Sequence, residues 1–379
     1  MKKQSITNIL SRLSKLMLML TLVAYMSSCD SVIYDYEKDC EPDVEQPDEP
    51  NKPDPKPDPK PDPEPEPEPE PTVYYVEYIF DRNMQFTDGF NARVNSVDLY
   101  VFNTSGTFVK KYHEDGAPLT QKGYLMELTD LPAGTYEFVA WCGLTNNSYF
   151  TVPSSVSRPY ELTATLNVNS GNPDWSDGDL TALFHGMSGK SPAVYTNDPG
   201  DQIYPIYLTK DTNDITLTLQ HKDLLPFAKN RFQVSMTDKN GFMLYDNSVP
   251  DSNETIEYLP NKTTYGEIKG KVDGVETVGN YLKVDLSTAR LMKEHSETAY
   301  ITVIDTENNN NVAFSIPIIK WALNLRADKY KGMEDQEYLD REDLYNLMLW
   351  LDDKEDQGWF GASIEINDWH VIDDEQDLK

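Results

Sequence analysis

The sequence predicts an all-β body of two tandem antiparallel β-sandwiches, carried behind an export signal and a proline-rich spacer. Three observations support this. The residues after 72 alternate apolar and polar at period two, turn signals interrupt them at short intervals, and the 23 tyrosines suit half-buried strands in which the ring packs and the hydroxyl stays wet.

Residues 1–28 read as an export signal. Lys2, Lys3, Arg12 and Lys15 precede the apolar stretch Leu16 to Tyr25, and small residues follow at Ser27 and Ser28. Ten apolar positions are too few for a bilayer span, which needs ~20. Met26-Ser27-Ser28-Cys29 places a cysteine directly at the expected cleavage point. This resembles a bacterial lipoprotein signal, and the expectation is that Cys29 is acylated and forms the membrane attachment.

Residues 29–71 are a lipidated N-terminus and spacer. They carry 16 acids against four lysines, and 13 of the 31 residues from Glu41 to Pro71 are proline. Proline lacks a backbone donor and fixes φ, so repeats such as Lys52-Pro53-Asp54-Pro55 read as an extended polyproline stretch rather than helix or sheet. At ~3.1 Å per residue its reach is on the order of 95 Å.

In the body, Val97, Leu99 and Val101 alternate with Asp98 and Tyr100, and Ile215, Leu217 and Leu219 with Thr216 and Thr218. Turns fall at Thr104-Ser105-Gly106, Asp115-Gly116, Pro132-Ala133-Gly134, Lys239-Asn240-Gly241 and Asp273-Gly274. One short helix is expected within Leu323 to Leu339. Two apolar strands close the chain, Leu344 to Leu351 and Ala362 to Ile372. The fresh set of strands from Ile215 places a boundary near Thr209, giving an N-terminal sandwich over 72–209 and a C-terminal one over 210–379. The last strand, with Ile364 and Ile366 alternating against Glu365 and Asn367, either closes its own sandwich or is donated to a neighbour; the nearby Leu344 to Leu351 favours closure.

The net charge of −31, of which −23 belongs to residues 72–379, argues against nucleic acid as a partner. No catalytic or metal motif stands out, and no cofactor is expected. His113, His185, His221, His295 and His370 lie far apart without ligand spacing. Gly189-Lys190-Ser191 lacks the earlier glycine of a phosphate loop, because Phe184 stands there, and Gly186-Met187-Ser188-Gly189 misses a nucleophile elbow by one position. Asp174, Ser176, Asp177 and Asp179 read as a solvated turn before they read as a calcium site. Among 64 acids nothing singles out a glycosidase pair. In an exported protein Cys40 and Cys142 invite a disulfide; the long spacer and a strand position suited to a small buried side chain argue for a free Cys142, and both readings stand.

Five segments carry a resemblance. Cys29-Asp30 with Ile33 to Cys40; Leu131-Pro132-Ala133-Gly134-Thr135-Tyr136 running into Ala140-Trp141-Cys142-Gly143; Leu183-Phe184-His185-Gly186; Leu208-Thr209-Lys210; and Gln336 to Glu342 occur in an order similar to that of FimB-type fimbrial anchor lipoproteins of type V pili in Bacteroidota. The proline spacer departs from that pattern, in which the Cys40-type segment leads almost directly into the first strand. The resemblance implies transthyretin-like sandwiches and no catalysis. It also implies a surface-exposed lipoprotein of the cell outer membrane that anchors or joins a fimbria, with stalk or accessory pilins bound by strand or edge pairing. Stalk relatives are cut after an arginine, whereas anchors keep their lipid. Here no arginine lies between Cys29 and Arg82, and Arg82 follows the apolar run Val76 to Phe80, whose strand is expected to shield it. The alternatives are a surface glycan-binding lipoprotein, with Trp175 and Trp359 as candidate platforms, and an exported hydrolase.

Overall fold

The computed structural model describes residues 73–132, 134–188, 202–351, 364–366 and 369–371. The signal, Cys29, Cys40, the spacer, Gly189-Lys190-Ser191 and Trp359 lie outside the described residues. Up to residue 210 the strands are β1 (Tyr74–Ile79), β2 (Ser96–Asn103), β3 (Phe108–Asp115), β4 (Leu125–Glu127), β5 (Tyr136–Cys142), β6 (Phe150–Thr151), β7 (Ala164–Leu166), β8 (Asp174–Ser176), β9 (Phe184–Met187), β10 (Gln202–Tyr207) and β11 (Thr209–Lys210), with a single helical turn α1 (Phe90–Arg93). Then come β12 (Thr212–His221), β13 (Phe232–Asp238), β14 (Phe242–Met243), β15 (Ile256–Tyr258), β16 (Lys262–Val272), β17 (Val275–Ala289), β18 (Tyr300–Asp305) and β19 (Asn311–Pro317). Helices α2 (Ile318–Leu325) and α3 (Asp335–Arg341) precede β20 (Leu344–Leu351), β21 (Ile364–Ile366) and β22 (Trp369–Val371).

Among the described residues the strands form five sheets, ordered β10-β1-β4, β11-β9-β5-β2-β3, β14-β7-β6, β16-β17-β12-β20-β21-β22 and β19-β18-β13-β15-β8. The first two sheets enclose one core, in which Tyr74, Val76 and Tyr78 of β1 meet Val97, Leu99 and Val101 of β2 and Phe138, Ala140 and Cys142 of β5. The fourth and fifth enclose a second core built on Ile215, Leu217 and Leu219 of β12 against Val234 and Met236 of β13 and Ile301 and Val303 of β18. The all-β sandwich architecture thus follows from period two, which gives each strand an apolar face to bury.

The second sheet departs from simple alternation. Tyr100, Phe102, Val139 and Trp141, on its other face, belong to the core of the C-terminal half. β2 and β5 are therefore covered on both sides, with Asp98 only 9% exposed. Two exchanges bind the halves further: β14 pairs antiparallel with β7, and β8 pairs parallel with β15. The described residues form one compact unit, although the change of sheet does fall between β11 and β12.

Three details differ from expectation. β1 with β10, β12 with β20 and β15 with β8 run parallel, pairings between strands distant in sequence that no local pattern encodes. The expected single helix is two: α2 ends where Arg326 turns extended (φ −57°, ψ 139°), and α3 begins after an extended Glu334 (φ −58°, ψ 143°). The strand expected over Ala362 to Ile372 is a hairpin, since β21 pairs antiparallel with both β20 and β22. Strand β20 has its expected bounds, and β21 pairs antiparallel onto it over Leu347 to Leu349.

Candidate functional site

Ala133 apart, four of the five segments that carry the resemblance lie among the described residues; Trp141, Leu183, Tyr338 and Leu339 of them join the core of the C-terminal half, while Leu131, Tyr136, Ala140, Cys142, Phe184 and Leu208 line the first core. Across the second sheet, Thr209, His185, Trp141, Asp98 and His113 stand in one row, each paired with the next on the neighbouring strand. Trp141 is fully buried and its ring meets His185 edge-on at 4.6 Å. His185 is bonded through Nε2 to the Tyr245 carbonyl at 2.8 Å, which makes that nitrogen the donor. Burial lowers the His185 pKa to about 4, so its ring is neutral. The backbone between these strands needs glycine. Gly143 has φ +87°, and a Cβ there would lie 2.0 Å from the Ala182 carbonyl oxygen; a Cβ on Gly186 would press on Ile206 and Leu208.

Beyond this row lies a charged knot. Arg290, just after β17, forks onto Asp340 of α3 with two bonds of 2.9 Å and donates to the Asn247 carbonyl. Asp211, fully buried between β11 and β12, lies 3.7 Å from Arg290 and accepts a 2.9 Å bond from Asn247 Nδ2. One guanidinium faces two carboxylates here, and burial pushes the Asp211 pKa up to about 7. Gln336 completes the knot, donating to Asp340 and to the Leu291 carbonyl. Asp211 Oδ2 and Asn247 Oδ1 are buried in the knot without a hydrogen-bond partner. The geometry ties α3 and the end of β17 to the segment between β11 and β12.

Next in the same segment, Arg341 reaches the loop after β1. It donates to the carbonyls of Asp81 (2.7 Å) and Asn83 (3.4 Å), and its guanidinium lies 4.7 Å from the Phe86 ring centre. Arg82 is exposed in this loop, beyond the end of β1, and donates to Thr209 Oγ1 at 3.2 Å. The expectation that the strand shields Arg82 is thus corrected. What holds the neighbouring backbone is Arg341, together with the Asn83 N–H to Asp81 bond of 2.9 Å.

The remaining candidates resolve into architecture. Cys142 is fully buried in β5, in the first core, and desolvation raises its thiol pKa well above the ordinary value; its proposed partner Cys40 lies outside the described residues. Trp175, half-buried in β8, has its ring near Gly171 and pairs through its backbone with Asn169. Asp174 and Ser176 accept bonds from the amides of Gly171 and Gly178 within their own turn. His113 bonds Asp98 at 2.7 Å, which raises its pKa, and His295 sits 2.8 Å from Asp238 with the same consequence. Among the described residues no three His, Cys, Asp or Glu side chains are grouped to hold a metal ion, and no helix is long and apolar enough to cross a membrane.

End-of-sheet strands offer a backbone edge to which a partner strand could add. Among the described residues the longest end-of-sheet strands are β16, β3 and β19. β3 carries Lys110 and Lys111, and β16 carries Lys262, Lys269 and Lys271, charges that discourage indiscriminate strand addition. The hairpin of β16 and β17 runs past β12, whose pairing stops at Gln220 with Tyr281, as far as a turn in which Asp273 and Gly274 both have positive φ.

Residues 66–375 match the family described as fimbrillin-A associated anchor proteins Mfa1 and Mfa2. The chain belongs to that family. Among solved structures, a candidate adhesin from Bacteroides thetaiotaomicron superposes with a TM-score of 0.67 at 27% identity, covering 80% of this chain and 98% of its own. A candidate polysaccharide-binding protein from the same organism gives 0.64 at 24%, covering 80% and 99%. The fimbrial anchor protein Mfa2 of Porphyromonas gingivalis gives 0.57 at 14%, covering 80% and 100%, a likeness of fold. No curated protein matches. Membership of the Mfa2 anchor family makes this chain a fimbrial accessory subunit with fimbrial partners, at the cell surface.

Proposed function

We propose that this anchor-family chain is a lipoprotein of the outer membrane, held by an acylated Cys29, that secures a fimbria by binding a stalk or accessory pilin along a free sheet edge and catalyses nothing. The observation that carries the reading is the family match over 66–375. Ser27-Ser28-Cys29 and the acidic, proline-rich residues 41–71 support a lipid followed by a spacer, and the lysine-guarded edges support selective strand addition.

The test is isolation of the intact protein from cells, with and without Cys29→Ser. The wild type is expected in membranes, labelled by a lipid probe and accompanied by pilin chains, and the variant in the soluble fraction. A variant that stays in membranes defeats the lipid, and retention on polysaccharide without pilin defeats the fimbrial partner.

A further inference from the structure

An anchor transmits force. If the lipid is at Cys29 and Cys40 is not bridged to Cys142, tension enters the described body at Val73 and meets β1 first, so the pairing of β1 decides what the body can withstand. Its six residues pair in parallel with β10, from Tyr74 with Gln202 to Ile79 with Tyr207. The ladder is extended at both ends by Gln202 N–H to Val73 at 2.9 Å and Leu208 N–H to Ile79 at 2.8 Å. In a parallel pair both strands start at the same end. Tension therefore enters β1 at that end and leaves β10 at the other, where Leu208 leads through β11 into β12, which lies between β17 and β20 in the fourth sheet.

We infer that β1 is a shear clamp, a strand placed so that tension on the membrane tether loads its whole ladder at once instead of one bond after another. This rests on the anchoring role proposed above. The side chains fit the task. Tyr74, Val76, Tyr78 and Phe80 are 2, 0, 2 and 4% exposed, so sliding β1 by one residue would turn a buried row outward. The Tyr74 hydroxyl accepts from the Gly134 amide at 2.8 Å and donates to its carbonyl at 3.2 Å, pinning the entry end. At the exit end, Arg82 holds Thr209 and Arg341 holds the backbone on both sides of Arg82, so a second catch lies behind the first. β10 is an edge strand and contains Pro205, a residue that edge strands tolerate because one of their sides needs no donor.

Single-molecule pulling on the mature chain, with Cys29→Ser and Cys40→Ser and one handle fixed at residue 29, tests this with two positions for the second handle. Tyr207→Cys, at the exposed far end of β10, places β1 in shear. Thr129→Cys, just beyond β4 and beside the entry end through the pairing of Tyr75 with Glu127, peels β1 bond by bond. Both variants should melt like the parent. At one loading rate the 29–207 geometry is expected to rupture at roughly three-fold higher force than the 29–129 geometry, since forced unfolding follows the barrier along the pulled direction. Equal forces, or a first rupture in the 29–207 geometry whose released length leaves β1 seated, would overturn the clamp. Absence of acyl chain on Cys29 would instead defeat the anchoring role while leaving the force ratio as it is.

Discussion

At the scale of single residues, the junction contains two buried ionisable groups whose effects on stability oppose each other. His185 titrates near 6.5 in an unfolded chain and at about 4 here, because burial disfavours its cation. Its folded pKa is depressed, so its contribution is present above pH 6.5 and is lost as pH falls toward 4. Asp211 is raised from 3.8 to about 7, again by burial, and Arg290 only partly offsets this. Its folded pKa is elevated, so the stability it confers is full below pH 3.8 and is lost as pH rises through 7. Across pH 4 to 6.5 the two slopes cancel in part. His185→Gln, which keeps a donor for the Tyr245 carbonyl, should therefore make stability fall more with rising pH than in the wild type, and Asp211→Asn should make it rise more. The change in slope should reach up to about 1.4 kcal/mol per pH unit in each case. Urea midpoints measured every half unit check this, and parallel profiles for all three proteins would refute it. Neither residue was legible as a junction group. The sequence marks His185 as one of five scattered histidines and as part of one resembling segment, and burial from both sides depends on a covering half that local pattern cannot show.

At the scale of elements, a strand was legible where one face alone decides it, as in β12, whose buried Ile215, Leu217 and Leu219 alternate with half-buried Thr216 and Thr218. Short elements near a change of direction were not, because α2, α3 and the pair β21–β22 are delimited by backbone angles at Arg326 and Glu334 and by pairing with β20. The loop after β1 has the same character. Arg82 is exposed and is the first arginine after the proposed lipid site, yet the peptide groups beside it are held by Arg341 and by their own turn. A protease must draw several residues into an extended conformation, which this loop resists while Arg341 is in place. An arginine-specific protease is expected to leave the native wild type joined to its N-terminus. Arg341→Ala should be cut at Arg82 and should cost about 1–3 kcal/mol, the worth of hydrogen bonds to a charged donor. An arginine inserted among residues 41–71 should permit release with the clamp intact. N-terminal sequencing of the digests decides it: a wild type cut to a chain starting at Asn83 would show that Arg341 protects nothing.

At the scale of the whole molecule, the period-two pattern and the spacing of turns conveyed the all-β class and the change of sheet near residue 209, but not that the halves share a core. Sharing hinges on the second face of β2 and β5. Tyr100, Phe102, Val139 and Trp141 are 1, 0, 1 and 0% exposed only because the C-terminal half lies on them. Four such side chains bared together correspond to about 1.5–3 kcal/mol each, comparable in sum to the entire stability of an ordinary domain. The C-terminal half has a matching debt: without residues before 210 it loses β8 from its fifth sheet and β7 from β14, and Asp211 and Arg290 lose the setting that buries them. Residues 72–379 should accordingly unfold in a single calorimetric transition whose van't Hoff and calorimetric enthalpies agree. Residues 72–209 and 210–379 made separately should each lack a cooperative transition and should bind a hydrophobic dye. Mixing them should restore folding, because strand exchange and the shared core supply what each lacks. Two separated transitions in the intact body, or a cooperatively melting N-terminal piece, would mean that the covered face of β5 tolerates water and that the halves are independent sandwiches after all.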